Sequence, residues 1–220
     1  VRIIGEAAKV SKKKAVINVT VESDFINPQG LKMGDPRIHF TGTVTMKNEL
    51  PKSVKGKRGK IPKGEVIDFD GIYSRFFHGP TFQVLGSVAD LGKKIKKNAV
   101  GWGRFREPVG DFFSFTDKYH FFSGPMFREF GFQTCGMFDM YHRDNMSLPN
   151  GIKKVEFYEV PKKSKNFTSR IVYRGETGED PMRVTHYDVE IMDEKGNVID
   201  RMTDYEMINT GKIPDDKKFG

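Results

Sequence analysis

The sequence lacks several features that mark whole classes of protein. Its 220 residues hold a single cysteine, Cys135, which rules out an intrachain disulfide and fits a reducing cytosol. No apolar run approaches the roughly 18 residues that would span a bilayer, and the opening VRIIGEAAKV lacks the charged-then-apolar order of a signal peptide. These absences predict a cytoplasmic protein without a membrane segment. Because the chain opens on Val1 rather than methionine, we also expect it to be a piece of a longer protein.

Motifs for nucleic-acid and metal binding are missing too, although the formal net charge is +8. The positive charge is concentrated in PKSVKGKRGKIPKG, residues 51–64, and in KKIKK, residues 93–97. Such runs are usually solvated connectors, and the functional alternative is an acidic partner. No zinc-ligand spacing, helix-turn-helix pattern or RNA-binding aromatic signature accompanies them. We therefore predict no metal site and no nucleic acid, and a protein partner if the charge is functional.

What the sequence does have is 19 phenylalanines and one long apolar segment without strand-like alternation, residues 125–145, PMFREFGFQTCGMFDMYHRDN. Its apolar residues recur three and four apart and fill much of the opposite side as well, which predicts a helix enclosed on nearly all sides. Glu129 and Gln133 stand four apart and so share one face of this helix. A buried carboxylate is costly unless it is paired, neutralised or used in chemistry, so Glu129 is a candidate functional group.

The other segments alternate apolar and polar residues as strands do. The predicted strands are residues 1–10, 14–22, 37–46, 99–105, 111–115, 151–160, 166–174, 183–192 and 197–207. Several antiparallel strands with one central helix favour an α+β class in which the sheet wraps around the helix, the hotdog architecture.

IYSRFFHGPTFQVL, residues 72–85, and the helical segment 125–145 resemble the dehydratase domains of polyketide synthases and polyunsaturated fatty acid synthases. IYSRFFHGPTFQVL is similar to the segment that opens the second half of those domains, where Gly-Pro-x-Phe-Gln is typical; here it is Gly79, Pro80, Thr81, Phe82 and Gln83. The family's helix carries an acid followed four positions later by Gln or His, and a Leu-Pro pair follows the helix. The matching residues are Glu129, Gln133, Leu148 and Pro149. The resemblance covers about residues 1–207.

This resemblance implies a double hotdog with a truncated first repeat, because the first 65 or so residues contain predicted strands but no central helix. It divides the chain into a partial first repeat with the basic connector (1–65), a second hotdog repeat (66–212) and a flexible tail (213–220). A short first repeat leaves apolar surface uncovered, so we expect a homodimer or a place in a larger multidomain synthase.

The resemblance also implies a function in polyketide or fatty acid biosynthesis. The chain would dehydrate, or bind, a β-hydroxyacyl chain carried as a phosphopantetheine thioester on an acyl carrier protein, with no bound cofactor. The implied catalytic residues are Glu129 and Gln133. The implied substrate-binding residues are His78, Gly79, Pro80, Phe82, Gln83 and Phe132.

One part of the family's pattern is absent. Its dehydratases pair the helix acid with a histidine from a His-x-x-x-Gly-x-x-x-x-Pro motif in the first half, and no histidine of this sequence has that spacing. Eliminating water needs a base for the α-proton and an acid for the departing hydroxyl, so a carboxyl group alone is a poor catalyst. Two alternatives to a dehydratase therefore stay open. One is a non-catalytic acyl-binding or structural hotdog module, and the other is a hotdog acyl thioesterase in which Glu129 activates water.

Three residues near the candidate site have two interpretations each. His78 is either a turn histidine packed on Phe77 or a residue that lines the substrate site. Arg128 stands where the family commonly has an apolar residue, and it either pairs with a carboxylate or reaches towards solvent. Cys135 lies in mid-helix among Phe and Met, and we interpret it as a core residue rather than a nucleophile.

Overall fold

The computed structural model describes residues 1–57, 62–64, 66–107, 124–161 and 163–219. The chain forms two compact units, Val1–Leu50 and Pro51–Gly220. The division lies after Leu50, earlier than the boundary at residue 65 expected from the sequence, and the described part of the basic connector belongs to the larger unit.

The smaller unit is a three-stranded antiparallel sheet in the order β1-β2-β3, formed by β1 (Arg2–Val10), β2 (Lys14–Ser23) and β3 (Arg37–Lys47). Residues paired directly across strands share a face of the sheet. Val21 pairs with Phe40 and Ile17 with Val44, so apolar side chains meet on one side. This apolar face consists of Ile3, Gly5, Ala7, Ile17, Val19, Val21, Phe40, Gly42 and Val44. The other side is mostly polar, and there Thr43 donates a hydrogen bond to Asn18.

The larger unit is a six-stranded antiparallel sheet packed on a central helix. The sheet order is β4-β5-β7-β8-β9-β6. Its strands are β4 (Leu85–Asp90), β5 (Val100–Phe105), β6 (Asn145–Phe157), β7 (Phe167–Thr177), β8 (Val184–Asp193) and β9 (Val198–Lys212). A short helix, α1 (Phe69–Tyr73), precedes β4, and the central helix is α2 (Pro125–Arg143). In the described ranges, no helix is long and apolar enough to cross a membrane.

Local chemistry explains where α2 begins and ends. Pro125 occupies the first turn, where its missing N–H is not needed. The helix stops at Asp144, which adopts the left-handed conformation (φ 53°) and donates its N–H to the carbonyl of Met140. Gly131 lets the sheet approach closely, because a Cβ atom there would lie 2.5 Å from Met202 Cε. Residues 130–140 are buried except for the partly exposed Phe132, so the predicted enclosed helix is confirmed.

Some details differ from the expectations drawn from sequence. β6 begins directly after the helix, at Asn145, earlier than the predicted strand start at residue 151, and so includes the Leu-Pro pair. The C-terminal residues expected to be a flexible tail make tertiary contacts: Ile213 is buried, and the guanidinium of Arg75 lies 4.0 Å from the ring centroid of Phe219. The predicted strand 111–115 lies outside the described residues.

Candidate active site

A cavity of about 400 Å³ lies between α2, the turn before β4, the start of β6 and the middle of β9. Its wall is largely apolar. Apolar and aromatic lining residues include Phe76, Phe77, Phe82, Phe132, Leu148 and Tyr205. Polar side chains line it as well, those of His78, Glu129, Gln133, Ser147 and Tyr205.

A chain of hydrogen bonds sets the position of Gln133. Its amide oxygen accepts from the Tyr73 hydroxyl (2.6 Å), and that hydroxyl in turn accepts from the backbone N–H of Leu85 (2.8 Å). Its amide nitrogen donates to the carbonyl of Phe82 (2.6 Å) and to Glu129 Oε1 (2.8 Å). Because oxygen and nitrogen each have matching partners, the orientation of the amide is determined. Burial raises the pKa of Tyr73 well above its usual range, so this phenol stays a donor.

The turn before β4 positions His78. Gly79 is extended, Pro80 begins a short 3₁₀ turn, and Gln83 donates from its side chain to the carbonyl of His78 (3.0 Å). The Gln133 bond to Phe82 ties this turn to the helix. The shape of the turn follows from proline chemistry, since Pro80 supplies the φ angle that a first helical position requires.

The structure brings His78 and Glu129 into direct contact, with Nε2 3.0 Å from Oε1. The imidazole stacks on Phe77, with ring centroids 4.7 Å apart and an interplanar angle of 13°. The turn-histidine interpretation and the site-lining interpretation therefore both apply to the same side chain. Its Nδ1 is buried and has no hydrogen-bond partner among the described residues.

Arg128 does not compete for Glu129. It donates to Asp200 Oδ2 at 2.7 Å and lies over the ring of Phe157. Burial nevertheless raises the pKa of Asp200 to about 6, since the loss of hydration outweighs the attraction of Arg128. Of the two interpretations of Arg128, the structure shows pairing with a carboxylate.

Six of the eight residues singled out from sequence line the cavity: His78, Gly79, Phe82, Glu129, Phe132 and Gln133. The other two, Pro80 and Gln83, build the turn that holds His78. Sequence reasoning missed two residues. Tyr73 lies in the matched segment IYSRFFHGPTFQVL, six residues before Gly79, and Tyr205 was visible only as one alternating position of a long strand.

Tyr205 is a fully buried part of the cavity wall. Its ring stacks on Phe132 with centroids 4.7 Å apart, and its hydroxyl has no hydrogen-bond partner within the described part of the chain. Burial, with a smaller contribution from the charge of Glu129, holds the Tyr205 pKa well above its usual range. The phenol is therefore a neutral donor near the acid.

Two other polar groups are structural. Asp139 is fully buried and accepts hydrogen bonds from Thr185 (2.8 Å) and Tyr187 (2.5 Å), while burial raises its pKa. Cys135 is buried in the same core, and loss of hydration raises the pKa of its thiol, as expected for a core cysteine rather than a nucleophile.

Within the described residues, one group has metal-ligand composition: His186, Asp204 and Glu206, whose ligand atoms lie within 4.8 Å of one another. Both imidazole nitrogens are already engaged, Nδ1 with Asp204 at 2.8 Å and Nε2 with Thr177 at 3.0 Å. A metal would have to replace these contacts, so the group is explained by its own hydrogen bonds.

Residues 71–216 match the model of the polyketide synthase dehydratase N-terminal domain. The match spans more than half of the chain and includes every residue of the cavity described above. The chain belongs to the polyketide synthase dehydratase family. No curated protein sequence matches it.

Solved structures of dehydratase domains share the fold of the chain. A trans-AT polyketide synthase dehydratase domain from Brevibacillus brevis is 12% identical with a TM-score of 0.61, over 92% of this chain and 66% of its own. The dehydratase domain from the CurJ module of the curacin polyketide synthase is 14% identical with a TM-score of 0.60, over 92% and 66%.

The dehydratase domain of PpsC from Mycobacterium tuberculosis, in complex with C12:1-CoA, is 14% identical with a TM-score of 0.55, over 91% of this chain and 66% of its own. This chain thus spans just under two thirds of the length of each of these three domains. The predicted α+β hotdog architecture is confirmed.

Proposed function

We propose that this chain removes water from a β-hydroxyacyl thioester in polyketide or fatty acid biosynthesis. The observation that carries the proposal is the setting of Glu129: its carboxyl group lines an apolar cavity and is held at Oε1 by Gln133 and His78. No described residue donates a hydrogen bond to its Oε2. One oxygen is therefore positioned by the protein, and the other is available to a substrate hydroxyl.

The chemistry of elimination suits such a site. A carboxylic acid that protonates the departing hydroxyl lowers the barrier to C–O cleavage, typically accelerating the step by a factor of about 100 to 10,000. The phenylalanine-rich wall excludes water and accommodates the hydrocarbon part of an acyl chain. An acyl thioester is also the class of ligand in the Mycobacterium tuberculosis structure, which is a complex with C12:1-CoA.

Gln133 acts in this proposal as a positioning residue. Its bonds to Tyr73 and Phe82 hold the amide nitrogen against Glu129 Oε1, which fixes the carboxyl group in the cavity. Gln133→Leu keeps the size of the side chain but removes these bonds. We expect it to lower kcat more than it raises KM.

An acidic acyl carrier protein would deliver the substrate. A second cavity of about 670 Å³ on the larger unit has more basic than acidic side chains in its wall, with Asp188 and Glu190 as the acids, and this excess fits such a partner. Its basic residues are Lys55, Lys57, Arg170, Arg174 and Arg201, the first two from the basic connector. We expect Lys57→Glu to raise KM for a carrier-linked substrate and to leave KM for the pantetheine-linked substrate unchanged.

We further propose that the chain acts as a homodimer or within a larger synthase. The supporting observation is the exposure of large side chains on the apolar face of the smaller sheet, among them Ile3 and Phe40. A second copy of the chain would cover this face. Sedimentation that shows only monomer at high concentration contradicts the homodimer.

The function is tested by incubating the chain with a 3-hydroxyacyl pantetheine thioester and following enoyl thioester by absorbance and mass spectrometry. Wild type should form the enoyl product, and Glu129→Gln should reduce the rate at least about 100-fold with little change in Tm, because the amide keeps the packing and removes the acidic proton. Glu179→Gln, in an exposed turn, is the matched control.

Two outcomes would overturn the proposal in favour of the alternatives. Release of free hydroxy acid that depends on Glu129 identifies a thioesterase. Saturable binding of the thioester with neither product identifies a non-catalytic acyl-binding module.

A further inference from the structure

We propose that His78 is the second proton-transfer residue of this site, so that His78 and Glu129 together form an acid–base pair within the larger unit. This inference rests on the proposed dehydratase function and extends it. The sequence has no histidine in the family's first-half motif, yet elimination requires a base as well as an acid. The structure offers an imidazole at the right place from a different part of the chain.

The geometry is that of two groups that can exchange a proton. His78 Nε2 lies 3.0 Å from Glu129 Oε1, and the two side chains are only 18% and 21% exposed. Both line the same cavity, so a substrate there would meet both. A general base must lie within hydrogen-bond reach of its proton in a plausible substrate pose, and a cavity shared with the acid satisfies this condition.

The imidazole is held as a positioned catalytic group would be. It stacks on Phe77, makes an edge contact with Phe76 at 5.1 Å between centroids, and its own carbonyl is held by Gln83. Rotation of the ring away from Glu129 would break the two ring contacts, while the bond from Gln83 holds the backbone that carries the ring. The reactive nitrogen is therefore oriented before substrate binds, which reduces the entropy lost on the way to the transition state.

The other described histidines are occupied elsewhere. His142 Nε2 lies 2.7 Å from the carbonyl of Leu91, and His186 is bonded to Asp204 and Thr177. His39 belongs to the smaller unit, where it contacts Ser23. Among the histidines that the structure describes, His78 is the one that lines the cavity.

Protons and electrons balance if His78 and Glu129 together hold one transferable proton at the start of the reaction. His78 Nε2 takes the α-proton, and the electron pair of the broken C–H bond forms the C=C bond. The C–O bond breaks as the hydroxyl takes the proton of Glu129 and leaves as water. The pair begins as imidazole and carboxylic acid and ends as imidazolium and carboxylate. The proton then crosses the 3.0 Å contact from Nε2 to the carboxylate, which restores the starting state without solvent.

The test replaces the imidazole while keeping its packing. His78→Phe retains a ring to stack on Phe77 and removes both nitrogens, so Tm should change little. We expect kcat for dehydration to fall at least about 100-fold, with KM for the 3-hydroxyacyl pantetheine thioester within threefold of wild type. His142→Phe is the matched control, since His142 lies on the same unit and outside the cavity wall.

A rescue experiment separates chemistry from packing. His78→Ala leaves space for a small molecule, and added imidazoles should restore dehydration at rates that rise with the basicity of the imidazole. Rescue that is equal for imidazole and for a non-basic ring of the same size, such as thiophene, would overturn the proposal, because it would mean that the ring only fills space.

The failure of this inference can be told apart from the failure of the function. If wild type dehydrates and His78→Phe retains its kcat within twofold, His78 only packs, while the dehydratase function stands. If kcat is retained and KM alone rises, His78 binds substrate and transfers no proton. The proposed role of His78 is then wrong, while the dehydratase function stands. If wild type forms no enoyl product and does not hydrate an enoyl thioester in reverse, both fall.

Discussion

The two sheets of this protein follow the same strand pattern but differ in what covers them. In the larger unit, β5 to β9 pack on α2, and Phe138 of the helix is 0% exposed. In the smaller unit the strands alternate just as regularly, yet Phe40 on the apolar face is 69% exposed. Alternation therefore specifies a sheet with one apolar side, whereas burial requires a second layer.

The pKa of a carboxyl group paired with arginine also differs between the two sheets, because the larger unit buries its pair more deeply. Arg2 holds the pKa of the partly exposed Asp24 well below its usual range, since the pair remains in contact with water and loses little hydration. In the larger unit, burial dominates and raises the pKa of Asp200 to about 6 despite its contact with Arg128. The arginine lowers the pKa of its acid in both pairs, and in the larger unit burial outweighs that effect.

The largest expected effect compares two phenylalanines. Phe138→Ala should lower the free energy of unfolding by about 3–5 kcal/mol, because it opens a cavity in a packed core. Phe40→Ala should change it by no more than about 0.5 kcal/mol in the monomer, while weakening any homodimer built on the apolar face. Urea unfolding and sedimentation of both variants measure these effects. Equal destabilisation of the monomer by the two changes would show that the smaller sheet has a covered core after all.

The next effect is a pH dependence that Asp200 imposes on the larger unit. Its folded pKa of about 6 lies above the unfolded value near 3.9. Its stabilising contribution is therefore present below about pH 4 and is lost as the pH rises through 6. The loss is on the order of 3 kcal/mol, from roughly two pKa units. Asp200→Asn should flatten this part of the curve of unfolding free energy against pH. A slope between pH 4 and pH 6 that persists in the variant would assign the dependence to another group.

A matched pair of strand glycines is expected to have an intermediate effect. A Cβ atom on Gly103 would lie 2.6 Å from Ser169 Oγ, 2.7 Å from Thr134 Oγ1 and 2.8 Å from Leu85 Cδ1. We expect Gly103→Ala to cost about 1–3 kcal/mol through overpacking. Gly42→Ala meets no atom within 4 Å and should be nearly neutral. Thermal unfolding of both variants decides the comparison, and a neutral Gly103→Ala would mean that the sheet and helix can separate at low cost.

The smallest effect concerns the exposed ion pair of the smaller sheet. Arg2→Ala should raise the pKa of Asp24 towards its usual range, although Lys32 still lies 2.9 Å from that carboxylate. The pKa of Asp24 is lower in the folded state than in the unfolded state, so its charge stabilises the fold at pH values above the unfolded pKa. This stabilisation is lost as the pH falls, and because the variant lacks part of it, the stability of this sheet should be less sensitive to acid. Carboxyl NMR titration measures the shift, with Asp200 as a control that should not move. An unchanged pKa of Asp24 would mean that Lys32 alone is sufficient to keep it low.

Much of the fold could be predicted from sequence because its signals are local. The alternation of KAVINVTVE specifies a strand with an apolar side, and the three- and four-residue spacing in 125–145 specifies an enclosed helix. The same spacing placed Glu129 and Gln133 on one helix face, and the structure joins them by a 2.8 Å hydrogen bond. Glycine and proline at positions 79 and 80 are typical of a turn, and the structure forms a 3₁₀ turn there.

The tertiary structure alone decided which distant groups meet. His78 and Glu129 are 51 positions apart, and their 3.0 Å contact depends on Gln133 holding the Phe82 carbonyl against the helix. The inclusion of Tyr205 in the cavity depends on the register of β9. Local sequence patterns report the period of a strand or helix, because neighbouring side chains determine it. They do not report which buried surfaces pack together, since that depends on shape and hydrogen bonding summed over the whole core.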